Sequence, residues 1–525
     1  MDSLPRSPVP IADPRQRQRV ALAIALILLV SAALRLYQVS TPPNYMFDEV
    51  YYAKDAKAIV DGRVGTHGVL RWEAGDEVSW PHPEMGKFAI AAGIIVFGDR
   101  AFGWRLPAVL AGLVILGCVY PLGRRLGLPP PWALLALLFA AADTLGIAQS
   151  RIATLDVFIA AWTVLCVLLA LRYAQDGRRK RWLVLCGAAG GMALGTKWSG
   201  ALALVAAAAI IFALWLRDLR DAGAKDDEPA GEDVPGSDDG PYTLQRVTAA
   251  LLAALPVVGA LVVLPVAVYV ASYTQYFAVG HTWADWWELQ HQMLTFNLNL
   301  KVTHTYASKA PTWIVDYRPV WYYFVGKLRY HGVIAMGNPF LWWAATVALV
   351  AAPVLALLRR TTLLLPAAAL IVLLYFPWFA TTRTSFLYYM TPVAPFMAIL
   401  VATALLYLSG RADIPRRGWL VLGGAAIATE LLWLPVGRFA EWVFWTMPHR
   451  GRLPFPWAGV GIGIALVVLV VIVLFSPRLR PVRPLVVLAL AGMIIGIAVA
   501  FLPIVLAMPI SPDYFAHITW LPSWI

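Results

Sequence analysis

Two adjacent acids, Asp48 and Glu49, stand in the stretch Tyr45-Met46-Phe47-Asp48-Glu49-Val50-Tyr51-Tyr52, just past the first long apolar run of the chain. At the start of a helix, acids complement the helix dipole. Held against an acceptor hydroxyl, one of them takes its proton as general base, for about 10²–10⁴-fold in rate. Adjacent side chains point in different directions, so the sequence leaves open which of the two faces a substrate. Three cations, Arg105, Lys197 and Arg383, lie at ends of apolar runs on the same side as these acids. A guanidinium grips phosphate through paired hydrogen bonds and an ammonium acts as a point charge; the alternative for each is snorkelling at the interface. Asp156 lies within an apolar run, about one turn beyond Arg151, where a charge is costly and faces the protein interior. It reads either as half of a structural ion pair or as a support of the site. His82, His304 and His331 lack the tight spacing of metal ligands. Cys118, Cys166 and Cys186 sit inside apolar runs as small packing residues and imply no disulfide framework. No metal is expected; a divalent ion beside a phosphate stays open.

The elements that must position these residues are membrane helices. The chain has 525 residues, of which 60% are hydrophobic and 14% charged, where a soluble domain carries about a quarter charged. Its mean hydropathy is +0.68. Apolar runs at 19–37, 104–122, 131–149, 152–173, 182–196, 198–216, 247–271, 341–358, 362–380, 386–409, 418–435, 457–475 and 484–507 predict an all-α integral membrane protein of about thirteen spans. The first is read as a retained helix rather than a cleaved signal, because Leu34-Arg35-Leu36-Tyr37 is a poor cleavage site. With the tail 1–18 in the cytoplasm, alternation puts Arg124-Arg125, Arg178–Arg181, Arg217 to Arg246, Arg359-Arg360, Arg411 to Arg417 and Arg478 to Arg483 on that same side, and the C-terminus outside. The net charge of +12 is thereby explained by topology, and nucleic acid is not an expected partner. The loop 218–242, rich in Asp, Gly and Pro, reads as a disordered cytoplasmic linker.

Two long segments remain outside, 38–103 and 272–340, dense in Trp, Tyr, His and charge. A transporter would line its midplane with polar residues on broken helices; here the acids lie at the outer interface, which points to chemistry at a membrane surface. Thr282–Thr295, with Trp283, Trp286, Trp287, Leu289 and Leu294, reads as an amphipathic helix in the interface plane, either a simple anchor or a wall of the site.

Several stretches, in order, resemble the protein O-mannosyltransferases: FDEVYYAKDA (Phe47–Ala56), HPEMGK (His82–Lys87), FGWRLPAVLAG (Phe102–Gly112), SRIATLDVFIAAW (Ser150–Trp162), GTKWSG (Gly195–Gly200), HTYASKAPTW (His304–Trp313), RPVWYY (Arg318–Tyr323), RTSFLYYMTPVAP (Arg383–Pro395) and the C-terminal PISPDYFAHITWLPSWI. The resemblance is to the bacterial, actinobacterial-type branch. Two features depart from the family. Segment 272–340 is too short for the lumenal MIR domain of fungal and animal members, and the last motif reads Tyr388-Tyr389-Met390 where the family has Tyr-His-Tyr.

The resemblance implies a multi-span glycosyltransferase fold of the C type. It implies transfer of mannose, with inversion, from polyprenyl-phosphate-mannose to Ser or Thr of exported or membrane proteins at the outer face of the cell membrane, with no required cofactor. By family position Asp48 is the base and Glu49 an acceptor-binding group, with the reverse assignment open. Arg105, Lys197 and Arg383 fall to the leaving phosphate, and His82, Lys87, Asp156 and Tyr388 to substrate binding. An association with the secretion machinery is an expectation from the acceptor's need to be unfolded. The rival reading is a polyprenyl-phosphate-sugar transferase acting on a lipid or cell-wall glycan; a transporter or flippase is the distant one.

Overall fold

The computed structural model describes residues 8–62, 80–226, 254–445 and 476–525. The chain begins with α1 (Pro14–Leu36), α2 (Glu49–Val60), α3 (Met85–Phe97), α4 (Ala101–Arg125), α5 (Pro130–Ala141), α6 (Thr144–Gln149), α7 (Leu155–Gln175), α8 (Lys180–Thr196) and α9 (Ala201–Asp226). Further helices cover Leu264–Ala271, Trp283–Asn299, Pro339–Leu357, Leu365–Tyr375, Ala394–Ser409, Arg416–Trp445 and Arg483–Val505. Among the described residues, seven helices are long and apolar enough to cross a membrane. Several of the thirteen expected runs form shorter or interrupted helices. The run 131–149 is broken at Asp143, whose carboxylate accepts from the Gly146 amide and caps α6. The run 386–409 opens with a 3-10 turn, Leu387–Met390, before its α-helix starts at Ala394. The run 457–475 lies outside the described residues.

Three elements differ from expectation. The loop drawn from residue 218 starts later, because α9 runs on to Asp226 and Arg178 pairs with Asp218 there; the remainder of 218–242 lies outside the described residues. The first outer segment contains α3, whose apolar run of 13 residues is too short to span and packs on α4 instead. The fold is not wholly helical either. Aromatic and β-branched residues make an antiparallel hairpin of β1 (Val320–Gly326) and β2 (Tyr330–Ala335), with Val320 opposite Ala335 and Gly326 opposite Tyr330. Gly326 takes φ +136°, which its lack of Cβ permits, to enter the turn. The hairpin is tied to the segment that follows helix Arg483–Val505 by the Ala507 amide on the Gly332 carbonyl and a bridge between Tyr330 and Ile510.

A core lies where α4, α5, α7 and Ala394–Ser409 meet, with Val119, Leu135, Val164, Phe396 and Leu400 fully enclosed. Each such side chain contributes roughly 1.5–3 kcal/mol where burial removes it from water. In the bilayer, packing against neighbours replaces that driving force. This core is the scaffold that carries the loop 39–49 and the hairpin β1–β2.

Candidate active site

The site begins at the C-terminal end of α1. The Arg151 guanidinium donates to the carbonyls of Arg35 (3.0 Å), Leu34 and Gln38 (both 3.3 Å), occupying acceptors that the helix end leaves unpaired. It also reaches the Leu506 carbonyl at 3.4 Å. The chain leaving α1 is thereby fixed against the start of α7 and the end of the last long helix.

Beyond it, Arg105 of α4 is wholly buried and binds the loop 39–49 as a clamp. Nε donates to Glu49 Oε1 at 2.8 Å and Nη2 to Glu49 Oε2 at 2.7 Å; the remaining N–H groups go to the carbonyls of Val39 (2.9 Å), Pro42 (2.8 Å) and Asn44 (3.1 Å). A guanidinium has five N–H groups, and all are taken. The phosphate role expected for Arg105 is therefore replaced by a structural one. Glu49 is equally committed: besides Arg105, its oxygens accept from the amides of Met46 and Ala153, both at 3.0 Å. With no exposed surface and four donors on two oxygens, it offers nothing to an acceptor, which corrects its reading as a catalytic or acceptor-binding group.

Asp48 is held the other way. Phe47 takes φ +49°, a strained region for a bulky residue, and turns the chain so that α2 starts at Glu49. Asp48 stands at the cap position but its side chain makes no capping bond. Its carboxylate instead lies half-buried under an aromatic wall, and the Tyr388 hydroxyl donates to Oδ2 at 3.4 Å. Phe47 packs 4.9 Å from Tyr322 and 5.9 Å from Tyr388, and Phe386 stacks on Tyr388 at 5.3 Å. Burial, then the Asp156 charge, raises the Asp48 carboxyl from the usual range to about 7, opposed by Lys197 and the Tyr388 hydrogen bond.

Of the cations, Lys197 acts directly on the Asp48 charge, while Arg383 and Lys197 both act on His82. Lys197 Nζ is 3.2 Å from Asp156 Oδ1 and lies over the Tyr389 ring, 4.2 Å from its centroid. Asp156 pairs with Lys197, not with Arg151. Arg383 is half-buried; its Nη1 donates to Asn297 Oδ1, while Nε is buried without a partner. His82 is pushed well below its ordinary value by burial first, then by Lys197, Arg383 and Lys87, so those cations face a neutral imidazole. Lys87 is fully buried against Asp55 (3.2 Å) and Glu84 (3.1 Å), a network joining α2 to α3 rather than a group directed at substrate. His304 packs on Phe386 and His331 faces the Ala507 carbonyl. Among the described residues no cluster of three or more His, Cys, Asp or Glu could hold a metal ion.

Sequence reasoning passed over three contributors. The Tyr322 hydroxyl, on β1, accepts from Gln149 Nε2 at 3.0 Å, and its ring forms part of the wall over Asp48. Tyr389 covers Lys197, and Asn297 holds Arg383. The tyrosines lie within the RPVWYY and RTSFLYYMTPVAP stretches, the available signal; nothing local marks Asn297.

A partly accessible carboxylate with a raised pKa, in the field of one ammonium, can take a proton from a hydroxyl while that cation, with the Arg383 guanidinium that shares its neighbour His82, receives a leaving anion.

Residues 81–224 match the family described as dolichyl-phosphate-mannose-protein mannosyltransferase, and 282–447 the C-terminal four-span region of protein-O-mannosyltransferase. A polyprenol-phosphate-mannose–protein mannosyltransferase of Corynebacterium glutamicum is 24% identical over 411 residues, 67% of this chain and 75% of that one. An undecaprenyl phosphate-4-amino-4-deoxy-L-arabinose arabinosyl transferase of Pseudomonas aeruginosa is 33% identical over 208 residues, but those are 37% of this chain and 35% of that one. The Saccharomyces cerevisiae protein O-mannosyltransferase Pmt1-Pmt2 complex bound to the sugar donor shares the fold, with a TM-score of 0.66 at 13% identity, covering 97% of this chain and 93% of that one.

Proposed function

Since the chain belongs to the dolichyl-phosphate-mannose–protein mannosyltransferase family, we propose that Asp48 is the general base in transfer of mannose from polyprenyl-phosphate-mannose to a Ser or Thr hydroxyl of a protein. The observation that carries the assignment is the split between the two acids: Glu49 is consumed by Arg105 and two amides, while Asp48 carries no capping bond and lies in the field of Lys197. The acceptor oxygen attacks the anomeric carbon as Asp48 takes its proton. The carbon–oxygen bond to the carrier phosphate breaks, and the electron pair leaves with the phosphate. One displacement inverts the anomeric centre. A retaining route needs a second carboxylate as nucleophile about 5 Å away; the adjacent Glu49 is closed by its partners.

Lys197 and Arg383 receive the phosphate. Asp156 and Tyr389 hold the ammonium in place, and Asn297 holds the guanidinium. A phosphate leaves as a stable anion, so no general acid is required. The same reading places the site on the outer face, the basic loops and N-terminus in the cytoplasm, and the chain among cell-membrane proteins that act on unfolded acceptors near the secretion machinery. The match to the C-terminal region of protein-O-mannosyltransferases favours a protein acceptor over a lipid one.

The test is transfer of radiolabelled mannose from polyprenyl-phosphate-mannose to a Ser/Thr/Pro-rich peptide, by membranes holding wild type or Asp48→Asn at equal levels. Labelled peptide from wild type alone supports the reading. Label passing instead to lipid or glycan acceptors ends the claim of protein mannosylation.

A further inference from the structure

The hairpin that supplies Tyr322 has one covered edge and one open edge. On the far side of β2, Tyr330 exchanges both backbone bonds with Ile510, each 2.9 Å, and the Gly332 carbonyl accepts from the Ala507 amide at 3.2 Å. On the far side of β1, no strand pairs among the described residues, and no amide or carbonyl of Val320–Gly326 is bonded outside the hairpin. The register fixes which groups this open edge presents. In an antiparallel pair, facing residues either exchange bonds with each other or both turn their N–H and C=O outward. Tyr330 and Gly332 turn outward, to Ile510 and Ala507. Their partners Gly326 and Phe324 therefore turn theirs to the open edge, while Val325, opposite His331, is spent on β2.

Exposed edges are normally blunted by charge or proline. Val320-Trp321-Tyr322-Tyr323-Phe324-Val325-Gly326 holds neither. Its irregularity is a bulge: the pairing passes from Trp321–Ile334 to Tyr323–Val333 and leaves Tyr322 over. A bulge re-aims a side chain, and this one sets Tyr322 against Phe47 and Tyr388, over Asp48. Burial changes along the strand in step. Gly326, Val325 and Phe324 are exposed, Tyr323 is half-buried and Tyr322 is buried. The strand is thus a track that begins in the open and ends at the wall of the site, with Phe324 about 7 Å from Tyr322 at roughly 3.3 Å per residue.

We propose that the open edge of β1 binds the acceptor polypeptide by strand addition, its backbone bonded to Phe324 and Gly326 and its Ser or Thr led past Tyr322 to Asp48. The inference rests on the protein-acceptor reading above and names how that acceptor is held. The occupant follows from where the edge ends: a chain laid along β1 carries its hydroxyl to the residue that walls the proposed base. Main-chain bonds supply affinity without reading side chains, so any extended chain with a hydroxyl is accommodated. A proline in the acceptor is tolerated at every second position, where its nitrogen faces away from β1.

The experiment is steady-state transfer from polyprenyl-phosphate-mannose, by the full-length protein in membranes, to a series of peptides with a single Thr, each N-methylated at one backbone position. Peptide KM should rise about three- to tenfold, the loss of one hydrogen bond, at every second position and stay at the unmodified value between, with donor KM unchanged. A rise at consecutive positions, or at none, overturns the edge. An unmodified peptide that takes no label strikes the mannosyl-transfer reading itself, and this proposal with it. On the enzyme side, Phe324→Pro removes one outward N–H without touching a bond to β2, and Phe324→Ala removes the same ring but keeps the N–H. The proline variant should show a peptide KM about three- to tenfold above that of the alanine variant; equal constants in the two overturn the proposal. Should the proline unfold the hairpin, the peptide series decides alone.

Discussion

Arg105 and Glu49 form a closed ion pair, joined at 2.8 and 2.7 Å, in which every N–H of the guanidinium and both oxygens of the carboxylate are occupied. Removing one partner strands a buried charge, which costs about 3–5 kcal/mol. Glu49→Gln and Arg105→Met are therefore expected to lower the thermal midpoint of purified protein sharply, with activity falling alongside folded fraction. A variant at either position that keeps wild-type stability yet loses transfer would contradict the structural role.

Asp48→Asn should lower transfer by about 10²–10⁴-fold at unchanged expression. Since the base works ionised, kcat/KM of wild type should climb with pH and level off above about 7. Stability runs the opposite way. The folded carboxyl holds its proton to about 7, the unfolded one to about 4, so this group's contribution is fully present below the unfolded value and falls as pH rises through the folded one. Asp48→Asn should thus be more stable than wild type at pH 8 and equal to it near pH 4, measured as the difference in thermal midpoint.

Asp156 and Lys197 push the Asp48 carboxyl in opposite directions. The acidic limb of the pH–rate profile should move to lower pH in Asp156→Asn and to higher pH in Lys197→Met. Tyr388→Phe, which removes a hydrogen bond to the ionised form, should also move it upward. Profiles that all shift the same way would show that these residues act through the fold instead.

Arg383→Lys should raise the donor KM by roughly ten- to a hundredfold, the equivalent of a hydrogen bond to a charged group, about 1.5–3 kcal/mol. A lysine keeps the charge but not the fork. Asn297→Ala, which frees the guanidinium from the amide oxygen that holds it, should produce a smaller rise in the same constant. Initial rates against donor concentration, at saturating peptide, measure both.

The ionisable residues of the proposed site stand out in the chain, but their partners do not. Asp48 and Glu49 announce themselves as a pair, yet only the turn at Phe47 and the amide of Ala153 decide which is spent on structure. Arg105 reads as an outer cation because the carbonyls of Val39, Pro42 and Asn44 carry no side-chain signature. Asp143 interrupts a run that hydropathy alone takes as continuous, because a capping bond is invisible to a window average. The hairpin that carries Tyr322 lies in an aromatic-rich segment that a hydropathy window does not resolve into strands. The amphipathic helix was correctly drawn as to type: Trp286, Leu289 and Met293 face the protein while Trp283, Trp287 and Leu298 stay exposed.

The contacts of the catalytic loop also set an order of assembly. Asp48 leaves the ribosome early, but Arg105, Ala153 and Tyr388 follow in turn, and Arg151 reaches the Leu506 carbonyl only when synthesis is nearly over. An acid raised toward neutrality by its surroundings is an ordinary carboxylate until those surroundings exist. The carboxyl proposed as the base therefore gains its raised pKa only once the last part of the chain has been made.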